Sequence, residues 1–271
     1  MMPIPEFTGR SKPLTDAGIL AALATLGLQT ATGPATLWAV LTVESAGFGF
    51  LPDRRPMLLF ERHVFFKETD GRFATEAPDL CAQTRGAYVG GAAEYERLTR
   101  AMALCRRDRF DTAAALRSAS WGLGQIMGFN AAAAGFRDIN DMLAQMADAE
   151  DAQLAGMVAF IRRQGLDKNL QAGDWAGFAL GYNGTKYAQN AYDTKLQAAF
   201  AKQNNRNLRM RAAQAALLFL GYRPGLPDGT IGRNTRAALL AFRRDAGLGD
   251  SEALDEPAFN ALMQEAALRW P

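Results

Sequence analysis

Apolar residues recur at helical spacing along most of this 271-residue chain, and that periodicity is the strongest constraint on its fold. Alanine, the residue with the highest helix propensity, is abundant in these segments. Alternating patterns typical of strands are scarce. Two short apolar stretches, 58–61 and 64–66, fit either an extended segment or a turn of buried helix. The sequence therefore predicts a mainly α protein with at most a small β element.

Helices are expected in eight segments of the first 200 residues: 15–28, 35–44, 92–105, 112–117, 139–147, 150–164, 174–180 and 186–203. The apolar stretch 17–43 is interrupted by Gly33 and Pro34, and each half is too short to cross a bilayer. We therefore expect two core helices there and no stable membrane insertion. Residues 1–7 lack the basic and apolar regions of a secretory signal peptide.

Composition indicates a globular protein, with 49% hydrophobic and 21% charged residues and a net charge of only +2. Nucleic acid is not expected as a partner, because lysine and arginine do not cluster. His63 is the single histidine, and neither Cys81 nor Cys105 belongs to a metal-binding motif. We expect free thiols, no metal or organic cofactor, and a monomer.

A polar break at 204–208 divides the chain into expected domains of 1–204 and 205–271. Beyond the break, three helical segments are expected at 210–220, 235–246 and 256–268, with a turn-rich loop at 224–229. This tail has its own helical pattern, so the sequence predicts a small, separable three-helix domain. At roughly 65 residues it is near the lower limit of independent stability.

Three motifs follow one another in the first domain, and their order carries more information than any one of them. They are TVES at 42–45, SWGLGQIMG at 120–128 and GYNG at 181–184. A glutamate closing an apolar helix, then a glycine-rich turn, then Tyr-Asn-Gly resembles the lysozyme-like superfamily of goose-type lysozymes and lytic transglycosylases. Two longer sequence stretches, LFERH at 59–63 and YNGTKYA at 182–188, resemble more closely the N-acetylmuramidase family common in phage endolysins. The resemblance covers roughly residues 10–200 and implies a lysozyme-like catalytic domain.

Glu44 and Glu61 are the candidate catalytic residues. Glycosidic cleavage needs a carboxylic acid that is still protonated near the working pH, and Glu44 ends an apolar segment that would desolvate its carboxyl group. The resemblance implies that Glu44 is this acid. Glu61 lies in the apolar stretch 58–66 and is a candidate base or stabiliser of the transition state. The alternative for Glu61 is an ion pair with Arg54, Arg55 or Arg62.

The resemblance further implies a saccharide groove lined by the second and third motifs, with five candidate substrate-binding residues: Ser120, Gln125, Tyr182, Asn183 and Tyr187. Tyr187 and Tyr192 fit either the groove or the plain surface. Core packing is the expected role of Trp121 and Met127, and a structural role is expected for His63.

The tail resembles the small peptidoglycan-binding domain found on many wall hydrolases. Asp228-Gly229, Gly232 and Thr235 fall at the spacing of that family, whereas 249–255 lacks the second Asp-Gly. Tyr222, Asp228 and Thr235 are its candidate wall-binding residues.

Together the two resemblances imply a hydrolase that cuts the β-1,4 bond between N-acetylmuramic acid and N-acetylglucosamine, with bacterial peptidoglycan as partner. Such a protein would be made in the host cytoplasm and reach the wall after holin-type release. A lytic transglycosylase and a non-catalytic wall-binding phage protein are the alternatives.

Overall fold

The structure, a computed structural model, describes residues 7–45, 47–185, 187–202 and 206–268. The predicted domain boundary between 204 and 205 lies outside the described residues. Within them, thirteen α-helices and one three-stranded sheet confirm the mainly α prediction. No helix in the described part of the chain is long and apolar enough to cross a membrane.

The first nine helices have these bounds: α1 Asp16–Leu26, α2 Gly33–Ser45, α3 Arg62–Glu68, α4 Glu94–Arg107, α5 Ala113–Arg117, α6 Ile139–Asp148, α7 Glu150–Arg163, α8 Asp167–Ala172 and α9 Trp175–Asn183. Thr15 caps α1 by accepting a hydrogen bond from the Gly18 amide. A Cβ atom at Gly33 would lie 1.7 Å from the Leu28 carbonyl oxygen, so the close entry into α2 requires glycine.

The remaining helices are α10 Tyr192–Ala201, α11 Leu208–Phe219, α12 Arg233–Asp245 and α13 Glu256–Glu265. The segment 186–203 was expected to be one helix, with ends at residues 186 and 203 that lie outside the described residues. Between them the chain forms a 3-10 helix, Tyr187–Asn190, before α10. The break falls at Ala191, whose φ of 50° lies in the left-handed region.

The small sheet joins two of the sequence motifs. Its strands are β1 Leu58–Phe60, β2 Ala119–Trp121 and β3 Ile126–Met127, all antiparallel in the order β1-β2-β3. The glycine-rich motif is therefore a hairpin. Glu61 lies between β1 and α3, and its backbone amide donates to the Ser118 carbonyl oxygen at 2.9 Å.

Two apolar cores fill the catalytic part of the chain. One surrounds the sheet, α4 and α6, and contains the fully buried Trp121 and both free cysteines. The other joins α1, α2 and α7 to α9 and α10. Tyr182 packs against both cores, so α9 is fixed relative to the hairpin and to α2. A third core lies within the three tail helices.

The tail is docked on the first domain through a buried ion pair. Arg211 of α11 and Glu150 of α7 are both fully buried, and Arg211 Nη2 lies 2.6 Å from Glu150 Oε1. Glu150 also accepts hydrogen bonds from the backbone amides of Leu14 and Gly49, at 3.0 and 2.9 Å.

An aromatic cluster extends this interface beside the ion pair. Phe48 and Phe50 form it with Ala215, Leu218 and Phe219 of α11. The tail is thus packed against the segment that follows α2 along the chain.

Candidate active site

Glu44 lies in the last turn of α2, and its side chain is partly buried. Asn183 Nδ2 donates to Glu44 Oε1 at 3.3 Å. Burial raises the pKa of Glu44 to about 7, and the hydrogen bond from Asn183 opposes the shift only in part. The C-terminal end of a helix also disfavours a negative charge. Near neutral pH a large fraction of this carboxyl group is therefore protonated and able to donate a proton.

Asn183 and Tyr182 end α9 and place the third motif against the first two. The Tyr182 hydroxyl donates to the Gly124 carbonyl oxygen at 2.7 Å, and its ring stacks on Phe178 at 5.3 Å. Burial, and then the charge of Glu44, raise the pKa of Tyr182. Tyr182 therefore joins the hairpin to the helix that carries the partner of Glu44.

The second motif forms its own hydrogen-bond network. Ser120 is buried, and its Oγ donates to Gln125 Oε1 at 2.9 Å. Gln125 Nε2 donates to the Gly122 carbonyl oxygen at 2.8 Å, and a φ of 47° puts Gln125 in the left-handed region. Both polar atoms of the Gln125 amide thus form hydrogen bonds within the hairpin, and the side chain is half-buried.

Glu61 is buried beside an aromatic and an imidazole side chain. Tyr88 donates its hydroxyl to Glu61 Oε2 at 2.8 Å, and His63 Nδ1 lies 3.0 Å from the same oxygen. Burial of the imidazole is the largest cause that lowers the pKa of His63.

Glu61 forms no described pair with the arginines named as alternatives. Arg54 donates to a carbonyl oxygen of the tail, Arg55 pairs with Asp53, and Arg62 binds the 84–85 backbone. The described contacts therefore do not support an ion pair with these arginines, and the functional role of Glu61 stays a prediction.

Arg85 connects the surroundings of the two carboxyl groups. Its charge contributes to lowering the pKa of His63, next to Glu61. The same charge opposes the upward pKa shift of Tyr192, which burial and then the charge of Glu44 produce. Arg85 thus lies within electrostatic range of His63, next to Glu61, and of Tyr192.

Sequence reasoning missed Arg85 and Tyr88. Both lie in an irregular, exposed stretch between α3 and α4, where no periodicity marks a function. Glu94 at the start of α4 orders this stretch by accepting the Val89 and Phe60 amides at 2.7 and 3.2 Å. A buried glutamate that binds both β1 and the 88–90 segment brings Tyr88 to Glu61.

The remaining predicted residues lie at the edge of the site or in the tail. Tyr187 is half-buried against the second core. Thr235 is buried and donates to the Pro224 carbonyl oxygen at 3.0 Å. Asp228 and Thr235 line a cavity of 350 Å³ in the tail, while Tyr222 lies apart and donates to Asp245 Oδ2 at 2.7 Å. Among the described residues, no group of three histidine, cysteine or acidic side chains is placed to hold a metal ion.

Comparisons with known proteins identify the family of both parts of the chain. Residues 33–204 match the family model described as N-acetylmuramidase, and residues 206–254 match a model of a peptidoglycan binding domain. Among solved structures, the chain is similar to the Burkholderia AP3 phage endolysin, with 39% identity, 70% of each chain covered and a TM-score of 0.61. No curated protein matches the chain.

Proposed function

The chain belongs to the N-acetylmuramidase family of peptidoglycan hydrolases, and on that basis we propose that it is a phage endolysin that hydrolyses the β-1,4 bond between N-acetylmuramic acid and N-acetylglucosamine. The observation that carries the proposal is Glu44, whose pKa is raised to about 7. Glu61, the second candidate carboxyl group, is buried. Two carboxyl groups in different environments are the usual requirement of glycoside hydrolysis.

Glu44 acts as the general acid. It donates its proton to the glycosidic oxygen as the bond to the leaving sugar breaks, and positive charge develops on the other sugar ring. Asn183 holds Glu44 Oε1 through its side-chain amide, which leaves Oε2 to carry the proton. The loss of the proton leaves a carboxylate that the same amide stabilises.

Glu61 supplies the second carboxyl group, as the base that activates water or as a stabiliser of the positive charge. Among the described residues, both polar contacts of its side chain involve Oε2, with Tyr88 and His63. Oε1 therefore remains for a water or for the sugar. In an inverting enzyme the two carboxyl groups lie roughly 6.5–9.5 Å apart, and in a retaining enzyme about 5–5.5 Å.

Substrate contacts are assigned to the hairpin and to the segment after α9. Gln125, Asn183 at the end of α9 and Tyr187 have partly exposed side chains, whereas Ser120 holds Gln125 within the hairpin and Tyr182 joins the hairpin to α9. The cavity beside Asp228 and Thr235 is the proposed wall-binding site of the tail. Delivery to the wall is assigned to holin-type release after synthesis in the host cytoplasm.

Mass spectrometry of muropeptides from digested sacculi tests the proposal. Hydrolysis in isotopically labelled water places the labelled oxygen on a reducing N-acetylmuramic acid end. Glu44→Gln is the control and should release no fragments. An anhydro product without label would instead identify a lytic transglycosylase, and no product from the wild type would indicate a non-catalytic wall-binding protein.

A further inference from the structure

A cationic cavity with an apolar floor lies between α2, α10 and the start of the tail. Its volume is 330 Å³, and its lining includes Trp38, Val43, Lys195, Lys202 and Arg206. The other lining residues are alanines and Thr42, so the described lining holds three cations, one of which, Arg206, also lies near the carboxylate of Asp228. The cavity is distinct from the hairpin side of the site and is not used by the proposed mechanism.

Arg206 gives this cavity a fixed positive charge. Its guanidinium lies 5.6 Å from the centre of the Trp38 ring, and Nη2 donates to Thr42 Oγ1 at 3.2 Å. Nη1 donates to the Asp228 carbonyl oxygen at 2.8 Å and lies 3.7 Å from the Asp228 carboxylate, which balances part of its charge.

The cavity begins beside the residue that precedes the catalytic acid. Val43 in its wall is the neighbour of Glu44 in α2. Lys195 in its other wall belongs to α10, which packs against α2. A substituent of a sugar bound at Glu44 would therefore lie close to this cavity.

We propose that this cavity binds a carboxylate of the stem peptide carried by the muramic acid next to the cleaved bond. This inference rests on the proposed function, which places that sugar at Glu44. A stem peptide combines carboxylates with the methyl groups of its alanines. The carboxylates match the three cations, and the methyl groups match Trp38, Val43 and the alanines of the wall.

The test compares three soluble glycan substrates with the full-length protein. One carries free stem peptides, one carries stems whose carboxylates are amidated, and one has its stems removed by an amidase. The measured quantity is the ratio of kcat/KM for free stems to kcat/KM for each of the others. We expect a ratio of at least about five for the wild type, because charge-assisted contacts of this kind are lost in both comparison substrates.

Lys195→Ala/Lys202→Ala should reduce that ratio about fivefold, since exposed charge pairs contribute modestly each. Lys168→Ala removes an exposed lysine of α8 and is the matched control, with an unchanged ratio. A wild-type ratio near one, or a double variant that keeps the wild-type ratio, would overturn the inference. Failure of the wild type to cleave any of the three substrates would instead reject the proposed function.

A lipid-binding experiment tests whether a membrane surface, instead of a stem peptide, is the ligand of the cavity. Vesicles of phosphatidylglycerol, with phosphatidylcholine as the neutral reference, are sedimented with the full-length protein. Little binding is expected. Binding that is lost in the double variant, together with an unchanged substrate ratio, would show that the lysines serve a lipid surface and would overturn the inference.

Discussion

Replacing Glu44 by glutamine should make the protein more stable and almost inactive, and the gain in stability should depend on pH. Burial raises the pKa of Glu44 from 4.5 to about 7 in the folded protein. The folded carboxyl group therefore keeps its proton to higher pH than the unfolded one. As pH rises from 4.5 through 7, the wild type loses stability, because the charged form is tolerated better in the unfolded chain.

The size of the effect follows from the shift, at about 1.4 kcal/mol for each pKa unit. The wild type should lose about 3 kcal/mol in free energy of unfolding once the group is fully ionised. Glutamine keeps the shape and stays neutral, so Glu44→Gln should exceed the wild type by up to this amount at pH 8. At pH 4 the two proteins should have nearly equal stability.

Urea denaturation of both proteins at pH 4 and pH 8 measures the difference. Glu252→Gln removes an exposed carboxyl group of the tail and is the matched control, with no change at either pH. Turnover on soluble glycan should fall on the order of 10²–10⁴-fold in Glu44→Gln. Equal stability of Glu44→Gln and the wild type at pH 8 would refute the reasoning, since a desolvated carboxylate must cost folding free energy.

Three further perturbations test other parts of the molecule. Glu61→Gln should reduce turnover on soluble glycan by about 10²-fold or more with unchanged circular dichroism, and near-normal turnover would reject its catalytic role. Arg211→Ala leaves Glu150 buried without its partner and should lower the free energy of unfolding by about 3–5 kcal/mol. Arg244→Ala, in an exposed pair, should cost at most about 1 kcal/mol, and an equal loss in the two variants would contradict the importance of the buried pair. A chain that ends at residue 204 exposes Phe48 and leaves Glu150 without Arg211, so it should melt at a lower temperature and cleave soluble glycan poorly. Full activity of that fragment would show that the docked tail is dispensable.

Helical periodicity was enough to predict most helices of the protein, because their apolar faces pack against continuous cores. The short strands β2 and β3 were missed, since three and two residues carry no measurable alternation and pair only through tertiary contacts. α3 and β1 lie in one apolar stretch where sequence pattern favours neither structure, and α8 was not expected at all.

In the candidate site, too, features that arise within one segment could be predicted from the sequence, whereas contacts between distant segments could not. The raised pKa of Glu44 agrees with the expectation of a desolvated carboxyl group at the end of an apolar helix, and its catalytic role stays a prediction. Tyr88 reaches Glu61 through an irregular segment, and Arg211 meets Glu150 across 61 positions. Neither contact leaves a local pattern. The catalytic, substrate-binding and wall-binding roles assigned to the candidate residues all stay predictions.

The docked tail has a consequence for how the enzyme would travel over the wall. An anchor on a flexible tether lets a catalytic domain sweep all bonds within reach while the anchor stays bound. Here Glu150 contacts both Arg211 and the Gly49 amide, five residues after Glu44, so the anchor and the acid turn together. Each attachment would then present bonds at one distance and one orientation. A tail that bound the wall more tightly would slow lysis, because the protein has to dissociate before it can cut elsewhere.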